Sequence, residues 1–319
     1  MRIHLFIRTL LVPLLLAGCD QTPDQVYTPP VLSGKAYILT AVDHIAVVDL
    51  STTALSRIKM DKKALDLGII NKQLYVLAED GTLAALKDGN TLGPWQEGLP
   101  GGVAMIPAQD TGFWILGQKE LARIVPGQGE TKRLPIEGGY SALFPGEVAN
   151  TVWLVSREKA TATPFNLTTA KPGPAISPIG NSVHQGFAFA GAGELWLAEG
   201  NEYLNGKPYG VGYATRGMAA MPGGINVIDL KTNRQNDFIM VGGNVVDLTI
   251  TPAHDKVYAA VSLLPDYNEA TLSVVSTKSR RVTAELRLCY SCHQNENIIL
   301  QRGEGQVRAM AIFWPEVKK

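Results

Sequence analysis

Leu74-Tyr75-Val76-Leu77, Phe113-Trp114-Ile115-Leu116 and Val152-Trp153-Leu154-Val155 are three copies of one pattern, an aromatic inside a short apolar run. The pattern continues in both directions, to Ala36-Tyr37-Ile38-Leu39, Leu195-Trp196-Leu197 and Val257-Tyr258-Ala259. The aromatics stand at 37, 75, 114, 153, 196 and 258, at intervals of 38, 39, 39, 43 and 62. From the second copy onward each run is preceded by another strand-like segment, at 64–70, 103–106, 141–144, 186–189 and 245–250. In the last of these, Val246, Leu248 and Ile250 alternate with Asp247 and Thr249, the two-residue period of a strand. A third strand follows most runs, as at 45–50, 225–230 and 272–276, and then a fourth, as at 131–136 and 281–288.

Four short antiparallel strands in about forty residues make the blade of a β-propeller. The expected class is therefore all-β, a single propeller. Segment 307–313 has no strands after it, and segment 36–50 has no inner strand before it. Together they complete one blade, so the ring closes by pairing the two ends of the chain. The expected count is six blades, or seven if a degenerate blade lies in the longest interval. Val47-Val48-Asp49-Leu50-Ser51-Thr52 and Val227-Ile228-Asp229-Leu230-Lys231-Thr232 resemble the V-I-D-x-x-T strand of YVTN-type propeller repeats. That resemblance implies the fold and carries no function.

The chain has 319 residues, 45% hydrophobic and 18% charged, enough apolar material for a large core. Lys+Arg and Asp+Glu are both 29, so no basic field awaits a phosphate backbone, and nucleic acid is not an expected partner. No Walker loop, G-x-S-x-G, H-E-x-x-H or EF-hand loop occurs in the sequence. At the N-terminus, Arg2 and Arg8 precede an apolar run at 10–16 that is too short to span a bilayer. Leu16-Ala17-Gly18-Cys19 then resembles the lipobox of bacterial lipoproteins. The resemblance implies a signal peptide over 1–18, a lipidated Cys19 and a membrane anchor facing the periplasm. An ordinary secretory signal is the alternative. Residues 19–34 hold Pro23, Pro29 and Pro30 and read as a flexible tether, leaving 35–319 for the propeller. Asp20 favours the inner membrane by the same resemblance, with the outer membrane left open. Without residues 1–18 the chain keeps 27 basic and 29 acidic side chains, a net −2.

Spacing also locates two insertions. From each aromatic to the next inner strand takes 27 or 28 residues in the first three blades, but 49 after Trp196 and 49 after Tyr258. One insertion, 199–224, separates the second and third strands of its blade. The other, 289–306, separates a fourth strand from the next blade's inner strand. In an up-and-down blade both connections emerge on one face, which is the expected working surface.

The second insertion opens with Cys289-Tyr290-Ser291-Cys292-His293, the C-x-x-C-H pattern of c-type haem attachment. Two thiols at this spacing add to the two vinyl groups of one porphyrin, and the imidazole of His293 then lies beneath the iron. Such cytochromes mature outside the cytoplasm, where the leader sends this chain. The same letters also suit a local disulfide between Cys289 and Cys292, or half of a metal site. For the sixth iron position the candidates are Met221 and His184, then His44 and Met218. Met221-Pro222 resembles the distal Met-Pro setting of many cytochromes. The expected function is a membrane-anchored, monohaem c-type cytochrome on a propeller scaffold, holding one covalent haem c and exchanging electrons with a periplasmic partner protein. Its alternatives are a haem-free lipoprotein scaffold for protein interaction, with Cys289–Cys292 as a disulfide, and a haem-dependent oxidoreductase. No acid–base constellation in the sequence supports the last.

Overall fold

The structure is a computed structural model. It describes residues 32–314 except 41–43, 109–110, 178, 180–182, 201–202, 205–206, 209–222, 264–268, 290–297 and 300–306. Strands dominate, and the one helical element among the described residues is a single 3₁₀ turn, Ala190–Ala192. No helix among those residues is long and apolar enough to cross a membrane.

Six antiparallel sheets form the blades of a six-bladed β-propeller. Blade 1 runs outward from Val307–Phe313 through Lys35–Thr40 and His44–Asp49 to Leu55–Lys59. The C-terminal strand is therefore its innermost, and Tyr37 sits opposite Ala311. Closure by the two chain ends is as the spacing implies, and the seven-blade count is set aside. Residues 197–258 contain the two outer strands of one blade, set off by the long insertion, and the start of the next blade.

Blade 2 comprises Ala64–Ile70, Gln73–Ala78, Leu83–Lys87 and Thr91–Leu92; blade 3 comprises Ala104–Pro107, Phe113–Leu116, Glu120–Val125 and Gly129–Pro135. Blade 4 holds Ala142–Pro145, Thr151–Ser156, Thr161–Asn166 and Lys171–Pro172; blade 5 holds Val183–Phe189, Glu194–Glu199, Gly224–Asp229 and Arg234–Met240. Blade 6 holds Asn244–Ile250, Lys256–Leu263, Glu269–Ser276 and Arg281–Cys289, with a short fifth strand, Ile298–Ile299, parallel to the last. The spacing reading contained no such strand.

Alternation explains the repeat. In the second strand of every blade, one set of residues packs on the preceding blade and the other on the following one. Ala36 and Ile38 join the core shared with blade 6, while Tyr37 and Leu39 join the core shared with blade 2. Val152 and Leu154 face blade 3, while Trp153 and Val155 face blade 5. All six marker aromatics obey the rule. Tyr37, Tyr75, Trp114, Trp153, Trp196 and Tyr258 each pack in the seam toward the next blade. Six apolar clusters thus correspond to six seams. A sheet buried on both faces needs a neighbour on each side, and only a closed ring supplies one to every blade.

The turns after the third strands explain the V-I-D-x-x-T letters. Oδ1 of Asp49 accepts the backbone N–H groups of Ser51 and Thr52, both at 3.0 Å. Oδ1 of Asp229 accepts those of Lys231 and Thr232, both at 2.8 Å. Asn166 does the same for Thr168 and Thr169. Four residues after each cap the chain turns left-handed, at Thr53, Ala170 and Asn233. These bonds hold the Asp49 carboxyl down at about 2, the Ser51 hydroxyl contributing most. The Asp is a turn cap.

Trp196 is the most enclosed of the markers. Its ring is fully buried, lies 5.7 Å from Phe187 and 6.1 Å from Phe189, and donates Nε1–H to Glu194 at 3.0 Å. Trp196→Ala is expected to cost about 3–5 kcal/mol in urea unfolding. Trp196→Phe, which loses mainly the Glu194 bond, is expected to recover more than half. Equal costs for the two variants would contradict a packing role.

Candidate functional site

The connections between second and third strands, and between one blade and the next, emerge on one face, called upper here. The central channel opens on this face through a cavity of about 140 Å³. All six inner strands line it at their upper ends: Leu65 and Asp66, Val103 and Ala104, Ser141 and Ala142, Gln185, Val246 and Asp247, Arg308 and Ala309. Arg157 reaches it from the turn after Thr151–Ser156.

Bulges build this mouth. The pairing register slips between Ala64 and Asp66, between Val183 and Gln185, between Val245 and Asp247, and opposite Leu39 and Thr40. The residues left over are Leu65, His184, Val246 and Arg308, one at the upper end of each of four inner strands. A bulge re-aims the side chains that follow it. In blades 2 and 6 it turns an Asp inward, and both carboxylates are buried.

Each carboxylate ties two blades. Asp66 accepts N–H of Leu67 at 2.8 Å on one oxygen and N–H of Met105, in blade 3, at 2.7 Å on the other. Asp247 accepts N–H of Leu248 at 2.7 Å and N–H of Met310, in blade 1, at 2.6 Å. The arginines tie two further seams from the donor side. Arg157 Nε donates to the Val183 carbonyl at 2.9 Å, and an Arg308 amino group donates to the Ala64 carbonyl at 3.3 Å. Burial pushes the Asp66 carboxyl up to about 7 despite its two backbone donors. Burial, and secondarily the charge of Asp66, pushes Asp247 up to about 8. The mouth thus holds two carboxyls able to exchange protons near neutral pH, beside two fixed cations.

Of the residues singled out by sequence, the structure positions three backbones. Cys289 is the last residue of blade 6's outer strand, on the upper face, paired with Glu269 on one side and Ile299 on the other. His44 opens the third strand of blade 1 at its upper end and is half-buried. His184 is a bulged residue within the inner strand of blade 5, rather than preceding that strand. Cys19, Met218, Met221, Cys292 and His293 lie outside the described residues. Among the described residues no group of three metal-ligating side chains comes together. Sequence reasoning missed Asp66 and Asp247. Their signal was the shared setting of Ala64-Leu65-Asp66-Leu67 and Val245-Val246-Asp247-Leu248.

The channel carboxyls set a pH dependence. An unfolded aspartate titrates near ~3.9. Asp66 and Asp247 titrate at about 7 and about 8 in the fold, so between these limits the folded chain binds more protons than the unfolded one. Their effect on stability is most favourable below about pH 4, declines as pH rises, and levels off above about pH 8. Asp66→Asn/Asp247→Asn is expected to be less stable at pH 5, because each amide keeps one acceptor for two N–H groups. Its urea midpoint is expected to change less between pH 5 and 8 than that of the parent. An unchanged slope would remove these groups as its source.

No protein-family model and no curated protein matches the chain. Solved structures do. A protein of unknown function from Bacteroides caccae superposes with a TM-score of 0.62 at 10% identity, over 88% of this chain and 99% of that one. A hydrazine synthase chain of Kuenenia stuttgartiensis superposes with a TM-score of 0.52 at 8% identity, over 80% of each. At these identities the likeness is one of fold, and the fold is the six-bladed propeller.

Proposed function

We propose that this chain is a membrane-anchored, monohaem c-type cytochrome that uses the upper face of its propeller to exchange electrons with a periplasmic partner protein. The observation that carries the reading is the root of the C-x-x-C-H segment. Cys289 ends a nine-residue strand, and Leu288 and Cys289 are clamped by Ile298 and Ile299 returning beside them. The described residues on either side of 290–297 are therefore paired with each other on the rim. A rigid root suits a site that must hold its cofactor in one orientation.

The donor set fits a covalent haem. Cys289 and Cys292 would hold it by thioether bonds, each thiol S–H adding across one vinyl double bond with no leaving group. The imidazole of His293 would be the proximal ligand. When bound, the haem supplies a one-electron redox couple. The chain's own residues do the rest: the blade 6 strands fix the root. Cys289, His44 and the channel mouth lie on the upper face. The leader and Cys19 support delivery to the compartment where such attachment occurs, with the lipid as anchor. The haem-free scaffold is the second reading, and a Cys289–Cys292 disulfide is what it needs.

Expression with c-type maturation machinery, followed by haem staining of a denaturing gel, tests the proposal. The parent is expected to stain. Cys289→Ala/Cys292→Ala is expected to lose the stain with the propeller still folded by circular dichroism. His293→Ala is expected to alter the visible spectrum. An unstained parent that gains two daltons on reduction would replace this reading with the disulfide scaffold.

A further inference from the structure

We propose that Asp66 and Asp247 form a pH-sensitive latch on the channel mouth, whose deprotonation loosens the blade 2–3 and blade 6–1 seams at their inner edges and widens the opening. The latch starts from a property of inner strands. Such a strand has a ladder partner on one side only, so alternate N–H groups face the channel and need another acceptor. Met105 and Met310 carry two of these groups. Each finds its acceptor on the neighbouring blade, at 2.7 Å on Asp66 and at 2.6 Å on Asp247. The other oxygen of each carboxyl is held by the N–H of the next residue, Leu67 or Leu248. Met310 lies in the strand that closes the ring. Blade 6 holds the upper end of that strand twice, through Asp247 and through the Ser262 hydroxyl, which accepts N–H of Val307 at 2.8 Å. Only the first of these two ties can titrate.

Both aspartates are buried, 7% and 6% exposed, and both line the one cavity of about 140 Å³. Among the described residues, the other charged groups on that cavity are Arg157 from blade 4 and Arg308 from blade 1. Blades 3 and 5 bring Val103, Ala104 and the uncharged Gln185. Behind Arg308 stand Glu79, 3.9 Å from its guanidinium, and Lys63, paired with Glu79. Neither arginine is bonded to either aspartate, and no ion pair reaches the two carboxyls. Burial keeps both protonated into the neutral range, and the charge of Asp66 acts further against ionisation of Asp247. Once both protons are lost, two desolvated negative charges face one small cavity. Turning out to the water above the mouth relieves them, and each turn gives up a bond to the neighbouring blade. The closed form binds more protons than the open one, so acid closes the latch and alkali opens it. The effect is local to two of the six seams.

Hydrogen–deuterium exchange of the mature protein, read by peptide mass spectrometry at about pH 6 and about pH 8.5 and divided by the intrinsic exchange at each pH, tests the latch. Peptides that hold Met105 and Met310 are expected to lose protection by about tenfold or more at the higher pH. Ala142–Pro145, an inner strand on the same mouth that bonds to neither carboxyl, is expected to keep its protection within about threefold. Asp247→Asn is expected to flatten the response at Met310 and leave that at Met105, and Asp66→Asn the reverse. The comparison among peptides of the parent needs no substitution and stands if a variant fails to fold. An equal loss in every blade, no loss at either methionine, or folded variants that respond like the parent would each overturn the proposal. Haem content does not enter the result.

Discussion

Every blade of this protein is apolar on both faces, and that constraint organises the rest. Tyr37 and Leu39 need blade 2 as much as Ala36 and Ile38 need blade 6. An open row of such sheets would leave two apolar faces in water, at a cost of about 25 cal/mol for each Å² of apolar surface. Closure removes both ends at once. The joint is made by Val307–Phe313 beside Lys35–Thr40, so it depends on residues from opposite ends of the chain. Strand pairing of this separation forms late and slowly in folding, because loop entropy is lost before the contacts form.

Closure also creates the channel, and the channel concentrates polarity. Four seams are tied at the upper mouth by side chains bonded to a neighbour's backbone: Asp66, Asp247, Arg157 and Arg308. On the lower face a different tie joins blades 5 and 6. There Glu194, buried, receives Trp196 Nε1, Asn236 Nδ2 at 3.1 Å and an Arg280 amino group at 2.5 Å. Polar groups thus hold the ring at both ends, with apolar seams between. Cys289 and the channel carboxyls of Asp66 and Asp247 lie at the upper end. The lower end carries the capped turns.

The fold was legible because one position repeats under one physical demand. A marker aromatic must reach the next blade, so it recurs at the blade period, and the ruler it provides exposes the insertions. What stayed hidden depended on register. Alternation in Val245–Ile250 reads Asp247 as a solvent-facing residue, the rule for a sheet with one wet face. In this fold both faces are dry, and a bulge at Val246 sends Asp247 to the channel. Nothing in the letters marks that bulge, or the slip that makes His184 an extra residue in its strand. The parallel strand Ile298–Ile299 is two residues long, below what periodicity can register. The Asp of V-I-D-x-x-T was seen as a family letter, and its work, capping a turn, became visible only with the bonds of Asp49 and Asp229.

We propose that a scaffold built by apolar seams presents one covalent haem from the rim of blade 6. Intact mass spectrometry of the mature, membrane-extracted protein tests it most directly. Loss of residues 1–18, acyl groups on Cys19 and a single haem-sized addition mapping to the peptide that holds Cys289 and Cys292 are expected. A correctly processed chain that carries no such addition, with Cys289 and Cys292 joined to each other, would contradict it.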